Sequence, residues 1–114
     1  VARIDSYRFG EIVVDGRTYR SDIIIFPDRV NSGWWRREGH SLDIEDLREA
    51  MEAGPEVLLI GTGCYGRLRV PAGLIDRLEE EGCHVLAFDT KTACDTYDRI
   101  STDKKTVGLF HLTC

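Results

Sequence analysis

The stretch LLIGTGCYGRLRVP, residues 58–71, decides how the rest of the chain is read. Its apolar opening predicts a strand buried on both faces. Gly61, Gly63 and Gly66 carry GxGxxG spacing, and Pro71 predicts the first residue of a helix bearing Leu74, Ile75 and Leu78. Strand, glycine loop and helix, followed by Asp89 at 23 residues beyond Gly66, are the local parts of a dinucleotide site. Two features oppose that reading. Pro71 holds Val70 out of helical conformation, so the helix begins well after the loop and its free N–H groups are displaced from any phosphate. Only 25 residues follow Asp89, too few for a second mononucleotide-binding half. The expectation is a tight exposed loop and no cofactor.

Working outward, residues 83–88 form the next apolar run and residues 90–100 repeat at helical spacing, with Ala93, Tyr97 and Ile100 inward. Residues 106–112 close the chain as a last strand. Because a helix joins strands 56–60 and 83–88, those two are expected to run parallel. Upstream, residues 9–14 lead through Asp15-Gly16, a hairpin turn signal, into residues 17–26, whose III run reads as buried on both faces. Residues 30–37 read as a further strand, in which one of Trp34 and Trp35 faces the core and the other does not. Residues 42–51 switch to helical period, with Asp43 as N-cap, acidic residues in the first turn and a stop at Gly54-Pro55. Strands first, then alternating helix and strand, predict an α/β fold with helices packed on a mixed sheet.

With 42% hydrophobic and 31% charged residues, the 114-residue chain is expected to fold as a single domain, residues 1–114. The net charge is −5, and residues 41–114 carry fourteen acidic against eight basic side chains. That balance opposes nucleic-acid binding. No apolar run approaches the roughly 20 residues of a membrane span, and Arg3, Asp5 and Arg8 interrupt any signal-peptide core, so a cytoplasmic location is expected. Cys64, Cys83, Cys94 and Cys114 are read as free thiols. Cys83-His84 and the pair His111 and Cys114 lack zinc-ligand spacing, and no metal is expected.

The topology places a candidate crevice at the carboxyl ends of the parallel strands. It would gather His40, the loop residues Gly61, Thr62, Gly63, Cys64, Tyr65, Arg67 and Arg69, and then Asp89, Thr90 and Thr92, with Tyr65 and Tyr97 as walls. Two guanidinium groups and several hydroxyls suit a small anion. Against this, Arg67 and Arg69 are equally read as solvated or paired with Glu79, Glu80 and Glu81, and Thr90 as a helix cap. Cys64 beside His40 is the only thiol and base arrangement the topology permits, and an incidental Cys64 is the competing reading. No catalytic residue is assigned.

FGEIVVDGRTYRSDIIIFP, WWRREGHSL, VLLIGTGCYGRL, DTKTACDTYDRI and VGLFHLT together resemble the Mth938-like family across nearly the whole chain. One departure is Asp98, where the family commonly has Asn. The resemblance implies a three-layer fold with a central mixed sheet and an N-terminal β-hairpin layer. It implies no reaction. One eukaryotic branch assists assembly of mitochondrial respiratory complex I, which points to a protein-binding role. The leading expectation is therefore a binding or assembly-type protein, with a protein partner or a homodimer anchored by an exposed tryptophan. The alternative is an enzyme or binding protein for a small anionic metabolite in the glycine-loop crevice.

Overall fold

The structure, a computed structural model, describes residues 2–114. Asp15-Gly16 makes the turn expected of it: both residues have positive φ, 49° and 78°, the backbone a two-residue hairpin needs to follow strand twist. It joins β2 (Glu11–Val14) to β3 (Arg17–Tyr19), and β1 (Ile4–Arg8) pairs antiparallel with β2 to complete a three-stranded sheet. β1 was not expected, since IDSYR has one buried apolar residue, Ile4, and draws its strand character from pairing.

The expected single strand over residues 17–26 is two. After Tyr19 the chain crosses to a second sheet, where β4 (Ile23–Ile25) lies between β5 (Val30–Asn31) and β8 (Thr106–His111). The order of this five-stranded sheet is β5, β4, β8, β6 (Val57–Thr62), β7 (His84–Phe88). β4 runs antiparallel to its neighbours, and β6 is parallel to both β7 and β8. The sheet is mixed because the hairpin region enters from one side while helical crossovers build the other.

Alternation along the buried strands sorts side chains between two cores. Ile24, Leu58, Ile60, Val107 and Leu109 face one side. There they meet Leu47, Ala50 and Leu78 from a 3-10 turn (Ile44–Leu47), α1 (Arg48–Glu52) and α2 (Ala72–Glu80). Ile23, Ile25, Leu59 and Phe110 face the other, against Ala93 and Tyr97 of α3 (Thr90–Ile100) and Ile4, Ile12 and Val14 of the small sheet. This three-layer α/β arrangement, with a central mixed sheet and a hairpin layer, is the expected fold. Gly108 permits it locally, since a Cβ there would lie 2.5 Å from the Phe110 ring, which packs edge-on to Tyr97.

The helix expected over residues 42–51 is shorter and begins as the 3-10 turn. Asp43 caps it, and a capping box with Asp46 satisfies both N-terminal donors. Pro71 stands one position before α2 rather than inside it. Residues 32–37 are irregular, not strand. Trp34 is nevertheless buried, donating Nε1–H to the Asp46 carbonyl at 3.0 Å, while Trp35 is exposed. Among the described residues no helix is long and apolar enough to cross a membrane.

Candidate functional site

Parallel pairing carries the ends of β6, β7 and β8 to one rim, and the glycine loop leaves β6 there. Gly61, one residue before the end of β6, lies under the first turn of α3. A Cβ at that position would lie 2.9 Å from Thr90 Oγ1 and 3.1 Å from Phe110. Gly63, at φ 106°, passes so close to the C-terminal segment that a Cβ would lie 2.7 Å from the Cys114 carbonyl oxygen. These glycines let protein backbone approach protein backbone, the same steric freedom that a phosphate site uses for a ligand.

Most of the loop's backbone donors are correspondingly spent, those of Tyr65 and Arg67 excepted. Gly63 N–H donates to Thr90 Oγ1 at 2.9 Å, and the Thr90 hydroxyl donates to the His111 carbonyl at 2.6 Å. Cys64 N–H donates to Thr113, Gly66 N–H to Gly63, Leu68 N–H to Thr62 and Arg69 N–H to His40, all to carbonyl oxygens. The Thr62 hydroxyl donates to the Phe88 carbonyl. Asp89, placed where a ribose-binding acid would stand, caps α3 instead: its carboxylate accepts from Thr92 N–H at 3.2 Å and from the Thr92 hydroxyl at 2.8 Å. Those bonds with Thr92 hold its pKa below the ordinary carboxylate value. The helix cap is thus Asp89, not Thr90.

The expected crevice residues do meet at this rim. His40 is drawn in by Arg69 N–H on its carbonyl at 2.9 Å and by the bridge between Ser41 and Arg69. Thr90 N–H reaches the Gly63 carbonyl at 3.0 Å. They divide by role, however: Gly61, Thr62, Gly63, Asp89, Thr90 and Thr92 hold the rim together, while His40, Tyr65, Arg67 and Arg69 are exposed on it. Tyr97 is no wall, being wholly buried against Phe110. Arg67 and Arg69 form no ion pair with residues 79–81 among the described residues, and the guanidinium of Arg67 lies 5.5 Å from the centre of the Tyr65 ring. Cys64 is half-buried beside the Tyr7 hydroxyl, whose pKa is raised first by burial and then by that thiol. The four cysteines are unpaired.

The most connected polar group on this rim is one that sequence reading did not assemble. Ile23 stands opposite Phe110, so one step along the antiparallel pair Asp22 stands opposite His111. Asp22 Oδ2 lies 2.8 Å from His111 Nδ1, and Oδ1 accepts Leu112 N–H at 2.8 Å. Arg36 lies over the Trp34 ring, its guanidinium donating to Asp22 and its Nη2 3.2 Å from His111 Nδ1. Burial works to raise the Asp22 pKa, but hydrogen bonds from His111, Arg36 and Leu112 outweigh it and the net shift is downward. An ionised Asp22 accepts a hydrogen bond from Nδ1–H and fixes the imidazole's orientation. The only local sign in the sequence is a charged or titratable residue beside each of two apolar strands, and nothing there says that the strands are neighbours.

Arg36, His40, Arg67, Leu68, His111 and Cys114 line a cavity of about 320 Å³ next to the glycine loop. Across the rim, the turn between β1 and β2 is tied down by Gly10 N–H on the Leu112 carbonyl at 2.8 Å, which sets the Phe9 ring 6.2 Å from that of Tyr65. Among the described residues no group of three or more His, Cys, Asp or Glu side chains is arranged to hold a metal ion.

A family profile described as "Protein of unknown function (DUF498/DUF598)" matches residues 4–112. Among solved structures, the conserved hypothetical protein PH1505 from Pyrococcus horikoshii OT3 is 29% identical with a TM-score of 0.83, covering 98% of this chain and 99% of that one. A protein described as MT938 is 26% identical with a TM-score of 0.81, and all of both chains is covered. A third, described as an outer membrane protein from Bartonella henselae, is 27% identical with a TM-score of 0.81, covering 99% and 96%.

Proposed function

We propose a function from one premise: the chain belongs to the DUF498/DUF598 family of proteins of unknown function and has the Mth938-like fold. Acting as a single domain, it is a recognition module for a partner protein, and the exposed aromatic cluster on the glycine-loop rim is its binding face.

One observation carries this reading. Phe9, Tyr65 and Arg67, from two segments far apart in sequence, cluster together while Phe9 is 52% and Tyr65 65% exposed. Trp35, 76% exposed, adjoins Arg36 of the neighbouring cavity. Large rings left in water forgo burial worth about 1.5–3 kcal/mol each, and Tyr, Trp and Arg are the side chains that dominate interface energetics. The backbone beneath is held by the Gly63, Thr90 and Leu112 bonds, so little ordering entropy remains to be lost on binding. The assembly-type role implied by the family resemblance belongs to the same reading, as does a cytoplasmic location, which four unpaired cysteines favour.

Quantitative affinity capture with the wild-type chain and a Phe9→Ala, Tyr65→Ala double variant tests it. A partner enriched by wild type and lost by the folded variant is expected. Equal capture by both would remove this face from consideration, and sedimentation of the purified chain would show whether the occupant is a second copy.

A further inference from the structure

The cavity beside the glycine loop has a charge pattern that the partner-binding reading uses only at Arg67. Of its cationic side chains, Arg36 is already neutralised by Asp22. Arg67 has no carboxylate partner among the described residues and is exposed, lining the cavity together with His40. Arg36 Nε is buried with no acceptor. At the inner wall, His111 donates Nδ1–H to Asp22, which leaves Nε2 as the ring's free nitrogen, with no partner among the described residues.

We propose that this cavity binds the carboxylate of a small ligand with an apolar body, held between the Arg67 guanidinium and His111 Nε2. A carboxylate is an acceptor only, so contact at Nε2 has the ring donating from both nitrogens, one to Asp22 and one to the ligand. Arg67 offers the planar fork that matches a carboxylate. Leu68 supplies the apolar wall, and a volume of about 320 Å³ suits a metabolite-sized molecule. A phosphate finds no full backbone cradle here: the N–H groups of Gly63, Cys64, Gly66, Leu68 and Arg69 are bonded within the fold, which leaves only those of Tyr65 and Arg67 on the loop.

A free acid and a polypeptide's C-terminal carboxylate present the same group, and the experiment separates them. The full chain, labelled for NMR, is titrated with hexanoate, N-acetyl-leucine, N-acetyl-leucinamide and inorganic phosphate. Saturable shifts of the His111 ring and the Arg36 Nε–H resonances are expected with the two carboxylates and not with the amide. Arg67→Ala, an exposed position whose unchanged spectrum elsewhere would certify its fold, should weaken carboxylate binding about tenfold. Tighter hexanoate binding assigns the site to a free acid, tighter N-acetyl-leucine to a chain terminus, and equal affinities make the carboxylate itself the determinant. The proposal is overturned by phosphate binding as well as the carboxylates, by the amide doing so, by an indifferent Arg67→Ala, or by no shift at all. Phe9→Ala alone, which leaves Tyr65 and Arg67 in place, should leave carboxylate affinity unchanged while weakening partner capture, and so separates this site from the partner face.

Discussion

Asp22 and His111, 89 residues apart, meet side by side at the ends of β4 and β8, with Oδ2 2.8 Å from Nδ1. The pair ties the strand entering the central sheet to the strand leaving it. Because hydrogen bonds lower the Asp22 pKa in the folded chain, the unfolded chain binds its proton more readily. The stabilisation is therefore complete above the unfolded value of about 4 and is lost as pH falls through the lower folded value. Asp22→Asn should cost about 2 kcal/mol in urea unfolding at neutral pH. The difference from wild type should shrink as the medium is acidified below about pH 4.

Thr90 bonds two strand ends through one hydroxyl. Thr90→Val keeps the shape but leaves Gly63 N–H and the His111 carbonyl buried without that partner, at a cost of about 2–3 kcal/mol. Thr90→Ser should recover most of it. Faster hydrogen exchange at Gly63 in the valine variant, absent in the serine variant, is the direct check.

Gly63→Ala should be among the most damaging single-methyl additions in the chain. It combines positive φ with a Cβ 2.7 Å from a backbone oxygen, together worth about 3 kcal/mol. Gly73, inside α2 with nothing near its would-be Cβ, predicts the opposite: Gly73→Ala should stabilise by about 0.5–1 kcal/mol. Thermal unfolding of the two variants against wild type measures both signs.

Nicotinamide and adenine nucleotides should leave the thermal transition unmoved at millimolar concentration. Most of the loop amides that would meet their phosphates are bonded internally, and the Asp89 carboxylate is held by Thr92. A nucleotide-dependent rise in Tm that Arg67→Ala abolishes would contradict this account of the loop.

What the sequence determined by itself is local and periodic. Helical spacing placed α3 at Thr90–Ile100, Asp15-Gly16 placed the hairpin, Asp43 placed a cap, and a helical crossover required β6 and β7 to be parallel. Each follows from contacts within a few residues, or from the steric rule that governs one crossover. β1 was invisible because its strand character comes from β2, and residues 17–26 were read as one strand although the polar Arg20-Ser21-Asp22 within them is where the chain changes sheet. Only the tertiary structure decided that β4 lies beside β8, and with it that Asp22, Arg36 and His111 form one group. The same closure turned the glycine loop inward, since whether a glycine admits a ligand or another segment of its own chain depends on what folds against it.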